Sequence, residues 1–163
     1  MKKILIVGII ILLFFTSIKQ NDNLIRIRII ANSNSDYDQN IKINLSNIIK
    51  EEMYDLLKEE KNVNNARKII KNNLNNIDKI VKENVKDYSY NINYGMNYFP
   101  EKKYNGKTYK EGNYESLLIT LGDGNGDNWW CILFPPLCLV EAEESEDVEY
   151  NFLLKDIFTK IFK

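Results

Sequence analysis

Histidine is absent from this 163-residue chain. Without it there is no Ser-His-Asp or Cys-His catalysis, no imidazole metal site and no ordinary proton shuttle at neutral pH. Only two cysteines occur, Cys131 and Cys138, and two thiolates with no histidine cannot complete a structural zinc site in one chain. Net charge is missing too. Lys plus Arg number 22 and Asp plus Glu 23, leaving −1 and no overall field to hold nucleic acid or an anionic membrane. Nucleic acid, metal and cofactor are therefore not expected. Proline (three) and glycine (seven) are sparse, yet two of the prolines, both tryptophans and both cysteines fall between Gly112 and Val140. That crowding of rare residues marks the stretch as a recognition element rather than an active centre.

The N-terminus sets the compartment. Lys2 and Lys3 precede an almost unbroken apolar run of 15 residues, Ile4 to Ile18, followed by Lys19. This is the outline of an export signal, long for a signal-peptide core and short of the roughly 20 residues that span a bilayer comfortably. Thr16 and Ser17 are followed by Ile18 and make no A-x-A-like site, so a cleaved signal peptide and an uncleaved anchor over residues 1–19 both fit. Either way the lysines stay on the cytoplasmic side and the rest of the chain is exported, with membrane association through residues 4–18 in the anchored case.

About 140 residues remain, enough for one domain with its own core. Leu24 to Ile30 alternates, with Ile25, Ile27 and Ile29 on one side and Arg26 and Arg28 on the other, the period of a half-buried strand. Asp36 then caps a long amphipathic helix through Ile41, Leu45, Ile48, Ile49, Met53, Leu56 and Leu57. After Lys61-Asn62, a second helix from Val63 to Val85 is expected, folded back on the first as a hairpin. Tyr88 to Phe99 alternates as a strand with an aromatic face, Asn105-Gly106 signals a tight turn, and Tyr114 to Leu121 and Trp129 to Phe134 are further strands. The fold class is α+β: a small antiparallel sheet packed against a two-helix hairpin over residues 24–140. An N-terminal signal or anchor helix precedes it. The segment 141–163 follows, with an acidic linker Glu141 to Glu149 and an amphipathic helix carrying Phe152, Leu153, Ile157, Phe158, Ile161 and Phe162.

Three local features admit chemistry. Glu115 with Asp123 or Asp127 could form a glycosidase pair, and a wall- or membrane-associated hydrolase would suit an exported chain. A carboxylate in an alternating strand is more commonly solvated or salt-bridged, so the expectation is a protein that is not an enzyme. Asp123 to Asn128 begins like a calcium loop but has Asn128 where the glycine should be and Phe134 in place of the bidentate glutamate; a glycine-rich strand connection explains the same letters. Cys131 and Cys138 either close a disulfide around Pro135-Pro136 or remain buried thiols. Trp129 and Trp130 point to opposite faces of a strand, so either one fills the core while the other faces outward as an interface anchor, or both are packing residues.

Three blocks carry a resemblance: Ile25-Arg26-Ile27-Arg28-Ile29-Ile30-Ala31-Asn32-Ser33 with Asp38-Gln39; Gly112-Asn113-Tyr114-Glu115-Ser116-Leu117; and Asn128-Trp129-Trp130-Cys131 with Leu133-Phe134-Pro135-Pro136-Leu137-Cys138. Together they resemble the stage II sporulation protein R family from Leu24 to about Val140, while the tail beyond Val140 departs from the family pattern. The resemblance implies a signalling protein secreted from the forespore into the intermembrane space, or anchored facing it. There it would activate a membrane-embedded aspartic protease of the mother cell that processes the sigma-E precursor. It turns the tryptophan question towards recognition, and the expected partner-binding residues are Trp129, Trp130, Phe134, Pro135 and Pro136, together with Tyr114 and Glu115.

Overall fold

The computed structural model describes residues 23–86, 88–104 and 107–136. The expected signal or anchor segment, Asn105-Gly106, Cys138 and the tail from Glu141 lie outside them. Among the described residues no helix is long and apolar enough to cross a membrane.

The chain opens with β1 (Ile25–Ile30), continues through α1 (Asp36–Leu57), α2 (Val63–Asn72) and α3 (Leu74–Asn84), and then runs through β2 (Tyr90–Phe99), β3 (Lys102–Tyr104), β4 (Lys107–Tyr109), β5 (Gly112–Leu121) and β6 (Asn128–Phe134). Four strands form one sheet in the order β2-β5-β1-β6, and β3 and β4 pair separately, with Tyr104 opposite Lys107 across the expected turn. The sheet is antiparallel at β2/β5 and β1/β6 but parallel at β1/β5. An antiparallel sheet was the expectation. The three helices that intervene between β1 and the second half of the chain supply the long crossover that a parallel pair requires.

The helices begin and end for local reasons. Ser35, rather than the expected Asp36, caps α1, its hydroxyl accepting from the Asp38 amide, while Asp36 and Asp38 place negative charge in the first turn. The helix expected from Val63 to Val85 is two helices separated at Asn73, whose side-chain amide donates to the Ile69 carbonyl at 2.8 Å. A side chain that bonds the backbone of the preceding turn competes with helical continuation, so the break falls at an asparagine.

The helix layer covers one face of the sheet. Ile25, Ile27 and Ile29 of β1, Leu117, Ile119 and Leu121 of β5, and Cys131 and Leu133 of β6 meet Leu45, Ile49, Met53, Ala66, Ile70 and Ile77 from the helices. Each buried Ile, Leu or Met here contributes about 1.5–3 kcal/mol, which makes this the main core. A register shift between Ile25 and Arg26 opposite β6 allows both Leu133 and Phe134 to join it.

The other face is where the sequence misleads. Arg26, expected on a solvated side, is completely buried, its guanidinium 4.2 Å from the Phe99 ring centroid and 4.7 Å from that of Tyr114. Leu24, Phe99, Tyr109, Tyr114 and Ile132 close around it, with Trp130 at the margin. A planar, weakly hydrated cation can lie between aromatic faces where an ammonium could not. The second core therefore covers only the half of this face nearest Phe99.

Candidate recognition surface

Among the described residues the other half of that face is left uncovered, and it is built by side chains in register across the sheet. Arg28 stands between Leu118 and Trp130, and Ile30 between Thr120 and Asn128. All six are partly exposed. Strand alternation sends Trp130 here and Trp129 to the helix side, where it packs against the main core. Trp130 is held from three directions: the Arg28 guanidinium lies 4.5 Å from its ring centroid, Lys102 Nζ lies 5.4 Å away, and Phe99 meets it edge-on at 5.1 Å. Arg28 Nε donates to Asn128 Oδ1 at 2.9 Å, which fixes the guanidinium over the ring. Partial burial lowers the Arg28 pKa, but an arginine starts so high that it stays charged. The result is a half-buried tryptophan framed by two cations on a face that also carries Ile30 and Leu118, a composition of the kind enriched at interface anchors.

A polar knot supports its edge. The loop after β5 crosses the loop after β1: the amides of Asn125 and Gly126 donate to the carbonyls of Asn32 and Ala31 at 3.0 and 2.9 Å, and the Asp127 amide donates to Asn34 Oδ1 at 2.6 Å. Lys42 Nζ reaches the Asp127 carbonyl at 3.1 Å. Asp38 accepts from Ser33 Oγ at 2.6 Å and Asn32 Nδ2 at 2.9 Å, and these donors hold its carboxyl below the usual range. Gly122 and Gly124 take positive φ, and a Cβ on Gly126 would strike the Ser33 carbonyl at 2.3 Å. The calcium-like spelling is thus a loop-to-loop clasp. Among the described residues no cluster of three acidic or cysteine side chains could hold a metal.

The other expected contact residues fall elsewhere. Phe134 is 6% and Tyr114 8% exposed, and the Tyr114 hydroxyl donates to the Lys110 carbonyl at 2.6 Å, so both side chains pack inside the domain. Pro135 is exposed and Pro136 half-buried, joined to β6 through a cis Phe134–Pro135 bond. Cys131 is buried; with Cys138 outside the described residues, their pairing lies beyond this geometry. Glu115 is on the helix side, ion-paired with Arg67 of α2 and accepting from the Tyr94 hydroxyl at 2.9 Å. Asp123 and Asp127 lie beyond the opposite end of β5, and six strand residues at about 3.3 Å each put roughly 20 Å between Glu115 and that end. No glycosidase pair of 5 to 10 Å can form from them. Burial, then the bond to Glu115, drives the Tyr94 phenol well above its ordinary pKa. Arg28, Ile30 and Leu118 were missed, because an alternating strand reads the same whether its second face is wet or half-covered.

The described parts of the three sequence blocks meet in space, on β1 with its loop and the first turn of α1, on β5, and on β6 with Pro135-Pro136. Over residues 21–144 the chain matches the family described as stage II sporulation protein R. It is 39% identical over 132 residues to the stage II sporulation protein R of Bacillus subtilis strain 168, covering 78% of this chain and 59% of that protein. The chain thus spans less than two thirds of that relative's length. No solved structure matches it.

Proposed function

The chain belongs to the stage II sporulation protein R family, which places its role in sporulation, and on that premise we propose that it is a non-enzymatic, exported signal. In this reading it leaves the forespore and acts in the intermembrane space, free or anchored through residues 4–18. It binds the extracytoplasmic side of a membrane-embedded aspartic protease and so triggers processing of the sigma-E precursor in the mother cell. Activation requires only that the chain bind the active form of the protease better than the inactive one.

The observation that carries the reading is the uncovered sheet face at Trp130, with Arg28 and Lys102 over its ring. Such a surface suits binding, while the carboxylates of the hydrolase reading are held apart by the length of β5. The test is deletion of the gene in sporulating cells, scored by sigma-E precursor processing. Loss of processing, restored by the wild-type chain supplied from the forespore, is the expected result. Unchanged processing in the deletion would refute the proposal.

A further inference from the structure

The edge strand β2 carries information that the Trp130 face does not. It runs ten residues in unbroken register with β5, and no strand of the described residues lies on its outer side. Its sequence, Tyr-Asn-Ile-Asn-Tyr-Gly-Met-Asn-Tyr-Phe, has no charge and no proline. Exposed edges are ordinarily blunted by lysine, proline, a bulge or shortness. The opposite edge, β6, has these devices: it is seven residues long, faces a register shift and runs into Pro135-Pro136. On β2 they are absent.

The phase of the ladder shows which groups face outward. The Gly122 amide donates to the Ser89 carbonyl at 2.7 Å, one step before the β2/β5 register begins. Bonded and non-bonded pairs alternate in an antiparallel ladder, so Asn91, Asn93, Gly95 and Asn97 bond to β5, while the amides and carbonyls of the even-numbered residues from Tyr90 to Tyr98 point away from it. Around Tyr94 the strand is a near-palindrome. Folding it on itself antiparallel matches Tyr90 with Tyr98, Asn91 with Asn97, Ile92 with Met96 and Asn93 with Gly95. Every outward-facing residue then meets another outward-facing residue, as a continuous ladder demands.

Side chains agree with that register. Tyr90 lies beside α3, its hydroxyl donating to Asp78 at 3.0 Å, and Ile92 is packed on the main core. Met96 and Tyr98, further along the same face, are 49% and 54% exposed. The palindromic register sets Met96 beside the Ile92 of a second copy and Tyr98 beside its Tyr90, so the bare end of each strand lies against the helix-covered end of the other. Hydroxyl bonds from Tyr90 to Asp78, Tyr94 to Glu115 and Tyr98 to Glu111 hold the strand ready for pairing. We infer that β2 is a self-association edge: two copies of this chain pair antiparallel through β2, centred on Tyr94, to make one continuous eight-stranded sheet.

The experiment is the mass of the full chain in mild detergent by light scattering, detergent subtracted, at tens of micromolar protein. The wild type is compared with Met96→Pro, which removes an outward amide and leaves the β5 ladder intact, and with Met96→Lys, which sets an ammonium beside the partner's Ile92. Circular dichroism and thermal melting report whether each variant is folded. The expected result is twice the chain mass for the wild type and a single chain mass for each folded variant; should the proline variant fail to fold, the lysine variant alone decides. A monomeric wild type overturns the inference, as does a dimer that survives both substitutions. A monomeric wild type whose folded Met96 variants lose signalling also overturns it, and assigns the edge to a strand of another protein.

Discussion

Glu115 is the residue whose replacement separates a structural carboxylate from a catalytic one. Its side chain is 18% exposed and that of its partner Arg67 27%, and it also accepts from the Tyr94 hydroxyl. Breaking a fully buried ion pair costs about 3–5 kcal/mol and an exposed one about 0–1. This pair is intermediate, and Glu115→Ala also leaves a half-buried phenol without its charged acceptor, so a loss of about 2–3 kcal/mol is expected. Glu115→Gln keeps an acceptor for Tyr94 and a polar contact for Arg67, and should cost about 1 kcal/mol. Urea titration of the two variants, with Arg67→Ala and Arg67→Ala/Glu115→Ala completing a double-mutant cycle, should return a coupling of about 1–2 kcal/mol. Signalling should survive Glu115→Gln. A coupling near zero would mean the pair does not stabilise the domain. A Glu115→Gln chain of unchanged stability that fails to signal would give the carboxylate a chemical role and refute the argument.

Two further outcomes follow from the same geometry. The Tyr94 phenol stays protonated in the folded state above the pH, about 10, at which it ionises in the unfolded chain, so the unfolded state binds fewer protons there and stability must fall as pH rises past 10. Tyr94→Phe should flatten that alkaline loss, measured as the melting temperature between pH 9 and 11. Gly126→Ala forces a Cβ onto the Ser33 carbonyl, a backbone atom that cannot rotate away, and should cost about 2 kcal/mol or more through separation of the two clasped loops. A Gly126→Ala chain as stable as wild type in urea would show that the clasp is not rigid.

Much of this architecture could be read from the chain. Alternation in β1, the spacing of Leu45, Ile49, Met53 and Leu57, and the aromatic period of β2 gave the elements and the helix-covered face, because period 2 and period 3.6 are written in local order. What escaped depends on contacts remote in sequence. Arg26 is buried only because Phe99 and Tyr114 arrive over it from later strands. Phe134 turns inward only because the ladder slips at Ile25/Arg26. The parallel pairing of β1 with β5 leaves no mark in either strand. The break at Asn73 was concealed by an apolar period that continues past it and by the asparagines on either side, which read alike. At the candidate site the strand phase showed that Trp129 and Trp130 point to opposite faces, but not which of the two meets the helices. The framing of Trp130 by Arg28 and Lys102 was not legible, since those residues lie on two other strands.

The central claim is that Trp130 is the working contact of a protein signal, and its replacement tests that most directly. Trp130→Ala forfeits the burial of much of an indole against the second core as well as an edge contact with Phe99 and two cation–π contacts, together about 3–5 kcal/mol, below the stability of all but the weakest ordinary domains at about 5–15 kcal/mol. The variant should therefore fold and be exported. The measurement is sigma-E precursor processing in sporulating deletion cells that export either the wild-type chain or Trp130→Ala at matched levels. The account predicts processing with the wild type and its loss with the folded, exported variant. Normal processing with Trp130→Ala would contradict it.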